Sequence, residues 1–171
     1  IRGGRDERAG GTWLATNEAG LVAGLTNVPG TASRTAPKRS RGELPLLLAR
    51  SPSALDAAHA LQASIRSEEF NPCWILCGDR DALTYIDLSG SGRPRFESLD
   101  PGIHVLENRP LGPSPKTDFV RMLLGKPPSE LDALTHRLES LLASHQIPPR
   151  TGTSDHGRPI ETGAACVHAG S

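Results

Sequence analysis

The segment GGTWLATNEAGLVAGLTN, residues 10–27, decides the fold because it has the pattern of a β-hairpin. Two short apolar runs flank the turn Asn17–Gly20, whose glycine supplies the backbone freedom that a tight turn needs. The second run ends on Asn27. A hairpin needs the glycine but not the two asparagines, so these are either turn residues or the edge of a binding site.

Strands and helices continue outward from this hairpin. Alternating and apolar patterns predict further strands at 73–76, 83–88, 95–98 and 103–108, and helices at 53–67, 118–124 and 129–145. Helix starts are indicated by three serines, each with an acidic residue three positions later: Ser40, Ser53 and Ser129. Groups of strands followed by groups of helices are typical of the α+β class with mainly antiparallel sheets. We expect one domain over residues 1–171, with a long polar loop at 146–163.

Net charge and the length of the apolar runs exclude several kinds of partner. Nineteen basic and nineteen acidic residues balance to zero charge, which gives no attraction to nucleic acid. No apolar run approaches the roughly 20 residues of a membrane helix, so we expect no membrane insertion. A small-molecule ligand remains the expected partner, and nothing in the sequence points to an oligomeric state. The chain begins at Ile1 rather than Met, and both of its ends look cut.

The cysteines and histidines indicate neither a disulfide nor a metal site. Cys73 and Cys77 would share one face of a strand about 13 Å apart, too far for a disulfide. With Cys166 they are interpreted as buried thiols in a reducing compartment, and we expect a cytoplasmic protein. No histidine has chelating spacing with another histidine or cysteine, so we expect no metal.

Asparagines at strand ends are the candidate site residues. Trp13 and Asn17 share a face of the first hairpin strand, while His104 and Asn108 share a face of the strand predicted at 103–108. Asn27 ends the second hairpin strand. A side-chain amide donates hydrogen bonds without bringing charge, as an oxyanion hole requires. Asparagine is also a common turn residue where a strand ends, so both interpretations stay open.

Five stretches together resemble one family. GRDERAGGTWLATNEAGL, LTN, SRGEL, FNPCWILCGDRD and DPGIHVLENRPL stand in the order and at about the spacing of the NRDE family, which includes transport-and-Golgi-organisation proteins. That family is related to the N-terminal-nucleophile (Ntn) hydrolases, and the resemblance implies a four-layer αββα sandwich. The string Arg5-Asp6-Glu7 is similar to the family's second motif, not to its naming motif. The chain therefore looks like an internal part of a family member, without the N-terminal Cys segment and the C-terminal strands.

The resemblance also implies a site. In the related choloylglycine-hydrolase and penicillin V acylase group, an Asn-Glu-x-Gly-Leu stretch contributes to the oxyanion hole, and residues 17–21 are similar. A later Val-Leu-Thr-Asn-x-Pro stretch there supplies a side-chain amide, and residues 105–110 are similar. Asn17 and Asn108 are thus the implied oxyanion-hole residues, with Trp13, Asn27 and His104 as binding residues.

Two functions follow from this resemblance. The first is an Ntn-type amidohydrolase for a small amide or N-acyl compound, inactive as this chain because its nucleophilic Cys is absent. The second is a non-catalytic carrier or chaperone for haem or an acyl lipid, as in the transport-and-Golgi-organisation branch. Neither needs a cofactor, although haem is possible as cargo, and His104 is the residue that could contact it.

Overall fold

A computed structural model describes residues 1–7, 10–30 and 38–144. The described residues form six strands and four α-helices, with a single 3₁₀ turn at Ser67–Glu69. In chain order these are β1 (Arg2–Gly3), β2 (Leu14–Thr16), β3 (Val22–Asn27), α1 (Glu43–Leu48), α2 (Ala54–Ser64), β4 (Cys73–Gly78), β5 (Leu83–Asp87), β6 (Arg95–Ser98), α3 (Pro115–Leu124) and α4 (Leu131–Leu142). The α+β class is confirmed. Of the four layers that the resemblance implies, the described residues provide one sheet and helices.

The six strands form one antiparallel sheet in sequence order, from β1 at one edge to β6 at the other. The predicted hairpin is its β2–β3 pair, with Leu14 opposite Gly24 and Thr16 opposite Val22. Gly20 has a φ of 87°, a conformation that a side chain makes unfavourable, so the turn requires its glycine. The strands predicted at 73–76, 83–88 and 95–98 are confirmed as β4, β5 and β6.

One face of the sheet, here called the helix face, packs against helices α1 and α2 to form an apolar core. Helix α1 contacts β2 and β3, and α2 contacts β4, β5 and β6. Helix α2 buries Ala54, Ala57, Ala58 and Leu61 toward the sheet. Leu55 lies outside this buried stripe and is 39% exposed. The small alanines allow the helix to lie close to β4 and β5, and burial of the shared cluster stabilises the packing.

Only one of the three predicted serine caps forms. Ser53 Oγ accepts from Asp56 N at 3.2 Å and caps α2 as expected. Ser40 does not cap α1, because its hydroxyl accepts from Gly42 N instead and Gly42 is the first flanking residue of that helix. The cap predicted at Ser129 is also wrong, since α4 begins after Glu130 with no side-chain cap.

The strand predicted at 103–108 does not form. Residues 106–111 run instead as an irregular segment, here called the strap, on the sheet face opposite the helices. Thr26 Oγ1 donates to Glu107 O at 2.8 Å, and Leu111 N donates to the Tyr85 hydroxyl at 3.3 Å. Thr26 and Tyr85 lie on this second face because their strand neighbours Leu25 and Ile86 point into the core. Side chains of the sheet therefore hold the backbone of the strap in place of a strand ladder.

The chain divides into two compact units where the sequence predicts one domain. The first contains the sheet, α1, α2 and the strap, and the second contains residues 103–105 with α3 and α4. The second unit has a small cluster of its own, formed by Val120, Leu124 and Leu141, against which Ile103 and Val105 pack. The loop predicted at 146–163 lies outside the described residues. Within the described ranges, no helix has the length and apolar character needed to cross a membrane.

Candidate functional site

Asn17 is a structural clamp between the first hairpin and α1. Its Oδ1 accepts from the backbone N–H groups of Ala19 at 2.9 Å and Leu21 at 3.0 Å, which closes the turn. Its Nδ2 donates to the carbonyl oxygens of Ala49 at 3.1 Å and Ser51 at 2.8 Å, which follow the last turn of α1. These carbonyls have no partner within a helix, so the amide satisfies them. The backbone N–H of Asn17 is also engaged, since it donates to Leu21 O at 3.0 Å.

Asp79, in the β4–β5 turn, is a second structural clamp. Its Oδ1 accepts from Asp81 N at 2.8 Å and Ala82 N at 2.9 Å, and its Oδ2 accepts from Ala54 N at 2.7 Å. Ala54 is the first residue of α2, where backbone N–H groups lack helix partners and favour a negative charge. These three hydrogen bonds, that from Ala54 first, lower the pKa of Asp79. Together Asn17 and Asp79 hold the α1–α2 junction, residues 49–54, from two hairpin turns.

A shallow, open pocket of about 400 Å³ lies beside this junction. It is lined by Ile1, Asn17, Glu18, Ala19, Arg50, Ser51 and Pro52. Glu18 and Arg50 bring opposite charges to its wall, and both are exposed. Asn17 contributes to the wall, but its amide is already committed to the turn and the helix. The pocket is therefore a polar recess beside the clamp, with no uncommitted amide donor from Asn17.

The structure does not bring Asn17 and Asn108 together. Asn17 bonds to carbonyls on the helix face, whereas Asn108 is an exposed residue of the strap, next to Glu107, which is held by Thr26 on the second face. The expected convergence depended on a strand at 103–108 that does not form. His104 is half-buried in the second unit.

The two remaining binding candidates lie in the hairpin. Trp13 is 52% exposed, and its carbonyl accepts from Leu25 N at 3.0 Å. Asn27 pairs with Cys73 at the end of β3 and is half-buried. The Oδ1 of Asn27 is shielded from solvent and has no hydrogen-bond partner among the described residues. Asn27 therefore keeps an unused acceptor, in contrast to Asn17.

The two described cysteines have buried thiols of low reactivity. Cys73 and Cys77 are free, fully buried and on the same face of β4, which confirms that they are buried thiols. Burial raises the pKa of each thiol to about 12, so both are neutral near pH 7. A neutral, enclosed thiol is a poor nucleophile. Cys166 lies outside the described residues.

Two functional candidates escaped the sequence analysis. No sequence pattern singles out Asp79, because its bond to Ala54 spans 25 positions and leaves no local signal. Trp74 lies on the second face beside Thr26, is 4% exposed, and has an indole N–H without a partner among the described residues. Alternation along β4 could have placed Trp74 on the sheet face opposite the core. No local pattern predicts that the strap lies over it.

An antiparallel sheet with helices α1 and α2 on one face, and hairpin turns that clamp the helix junction, defines an α+β protein. The family model described as Transport and Golgi organisation 2 matches residues 1–166, and the chain belongs to that family. The NRDE family is the same family, so the resemblance is confirmed. A search of the curated proteins gives no match.

Proposed function

We propose that this chain is a non-catalytic carrier for haem or an acyl-lipid compound. The observation that supports the proposal is the apolar surface on the second face of the sheet. Leu14 and Val22 are 57% and 45% exposed there, although both belong to the hairpin that decides the fold. Exposed apolar side chains on neighbouring strands are a typical contact surface for an apolar ligand.

The register of the sheet extends this surface. Leu14 lies opposite Gly24, Gly24 opposite Leu76, and Leu76 opposite Tyr85. In the next row Val22 lies opposite Gly78. The two glycines carry no side chain, and the side chains of Leu14 and Leu83 lie over them, with their Cδ1 atoms 3.2 and 2.9 Å from where a Cβ would be. The leucines therefore continue the apolar surface across the two rows, and an elongated apolar group could contact it. The two free buried thiols support a reducing compartment, and we propose the cytoplasm as the location.

An Ntn-type amidohydrolase acting on a small amide or N-acyl compound is the second candidate. The exposed side chain of Asn108 in the strap favours it, because this residue stands where the family resemblance puts an oxyanion-hole amide. Asn17 could join such a site only by giving up its bonds to Ala49 and Ser51. The same loss would release the end of α1, which weighs against a catalytic Asn17.

Equilibrium binding tests the carrier proposal. The chain should bind haemin, followed by its Soret absorbance, or decanoate, followed by calorimetry, in a saturable 1:1 complex. Leu14→Ser should weaken binding about tenfold, because a ligand loses roughly 50 Å² of apolar contact at about 25 cal/mol per Å². Leu131→Ser is the matched control, since Leu131 is also exposed, at 75%, but lies in α4 of the second unit. Equal weakening by both changes, or no binding of either compound, would contradict the proposal.

A further inference from the structure

Trp74 has a buried hydrogen-bond donor that nothing in the described structure uses. The residue is 4% exposed, and its Nε1 is shielded from solvent without a partner among the described residues. Buried donors in folded proteins are nearly always paired, so an unpaired one requires an explanation. An indole N–H can only donate, and the missing partner is therefore an acceptor.

The strap crosses the sheet at the position of this indole. Its two anchors are Thr26 on β3 and Tyr85 on β5, with β4 between them. The anchors are two strand spacings apart, roughly 10 Å, and the residues from Glu107 to Leu111 can span at most about 14 Å. Trp74 is directly opposite Thr26 in the register. The strap therefore passes over β4 next to Trp74.

We propose that the strap is a lid, and that the Trp74 indole N–H donates to a carboxylate of the cargo when the lid opens. This inference rests on the proposed carrier function and adds the group by which the cargo is recognised. Opening requires the loss of two side-chain-to-backbone hydrogen bonds, those of Thr26 and Tyr85. The same opening frees the Thr26 hydroxyl, which then becomes a second donor on the same face.

A carboxylate suits this position for two reasons. Trp74 and Thr26 both offer hydrogen bonds, and hydrogen bonds to a charged acceptor are stronger than neutral ones. Asp87 is the acidic neighbour in the same row, opposite Trp74, but its carboxylate is engaged by Ser89 N at 2.7 Å and Arg95 at 2.8 Å. Haem propionates and fatty acids share the carboxylate, while the haem macrocycle or the fatty-acid chain can lie on the Leu14–Leu76 row.

The test observes the indole directly. The chain has two tryptophans, and Trp13→Phe assigns their indole resonances in ¹H–¹⁵N spectra. Decanoate and haemin are added separately to distinguish a fatty acyl from a haem source, and decylamine serves as a probe with the same tail as decanoate but a cationic, donor-only head. We expect the Trp74 resonance to shift downfield with decanoate, haemin or both, and not with decylamine. Trp74→Phe should weaken binding of the carboxylate probe about tenfold.

The outcomes separate this inference from the carrier proposal. If the wild-type chain binds neither carboxylate probe, both proposals fail. If it binds but the Trp74 resonance stays unmoved and Trp74→Phe binds equally well, only the inference of this subsection fails. The resonance experiment uses the intact Trp74, so it decides the question even if Trp74→Phe folds poorly.

Discussion

At the scale of single residues, the asparagine in the first turn acts across the chain. Asn17 joins a hairpin turn to the carbonyl end of α1 through four side-chain hydrogen bonds. Asn27, ten residues later in the same hairpin, has an Oδ1 without a partner among the described residues. The side-chain amide is thus structural at one end of the hairpin, while the amide oxygen at the other end has no partner among the described residues.

We expect Asn17→Ala to lower the free energy of unfolding by about 2–3 kcal/mol, because carbonyls and N–H groups are left unpaired at a partly buried position. Asn27→Ala is the matched control and should change the free energy of unfolding by less than about 1 kcal/mol. Urea unfolding followed by circular dichroism measures both. Equal losses from the two changes would mean that Asn17 is not a clamp.

Asp79 makes stability depend on pH in a defined direction. Its pKa is lowered in the folded chain by the N–H groups of Ala54, Asp81 and Ala82, so its stabilisation is present above the unfolded pKa. That stabilisation is lost as the pH falls through the lowered folded pKa. Asp79→Asn should therefore flatten the acid side of the stability curve, whereas Asp81→Asn, a change at an exposed side chain, should not. A profile unaffected by Asp79→Asn would refute this assignment.

The thiols of β4 should be unreactive while the chain is folded. Because burial raises the pKa of Cys73 and Cys77 to about 12, the thiolate is scarce at pH 8. In a Cys166→Ser background, iodoacetamide should label neither cysteine in buffer and both in denaturant, as measured by mass spectrometry. Rapid labelling of either cysteine in the folded chain would show that β4 is accessible.

At the scale of elements, the strap is fastened by side chains rather than by a strand ladder. Thr26→Val removes one of its two anchors while keeping the β-branched shape on β3. Hydrogen exchange of the Leu111 amide, which donates to Tyr85, should then become several-fold faster. Thr16→Val is the control, because Thr16 lies on the same face in β2 and has no bond to the strap. Equal exchange in both variants would contradict the lid.

The hairpins could be predicted from sequence, but the helix ends and the strap could not. Alternation and turn residues depend on near neighbours, and the β2–β3 pair and β4 to β6 formed as expected. The Ser40 cap failed because Gly42 flanks α1 and the Ser40 hydroxyl accepts from Gly42 N, before the helix begins at Glu43. The segment 103–108 has the pattern of a strand, but Thr26 holds the backbone of Glu107 and Tyr85 that of Leu111, both from positions distant in sequence.

At the scale of the whole molecule, the sequence predicted the family but not the contacts that its asparagines make. The resemblance correctly placed the chain in the Transport and Golgi organisation 2 family. It could not reveal that the side-chain amide of Asn17 donates to the carbonyls of residues 49 and 51, because those contacts span more than 30 positions. Trp74 was missed because its position in an apolar strand gave no sign that its indole N–H would lack a partner among the described residues.

The fate of a bound N-acyl compound tests the central claim, that this chain carries its ligand and does not cleave it. N-decanoylglycine has the tail, the amide bond and the carboxylate that the carrier and hydrolase hypotheses concern. The hydrolase hypothesis places the nucleophilic Cys outside this chain, so the full-length protein is incubated with the compound, and native mass spectrometry should show a 1:1 complex of the intact compound. Catalytic release of glycine, lost in Asn108→Ala, would contradict the carrier and establish the hydrolase.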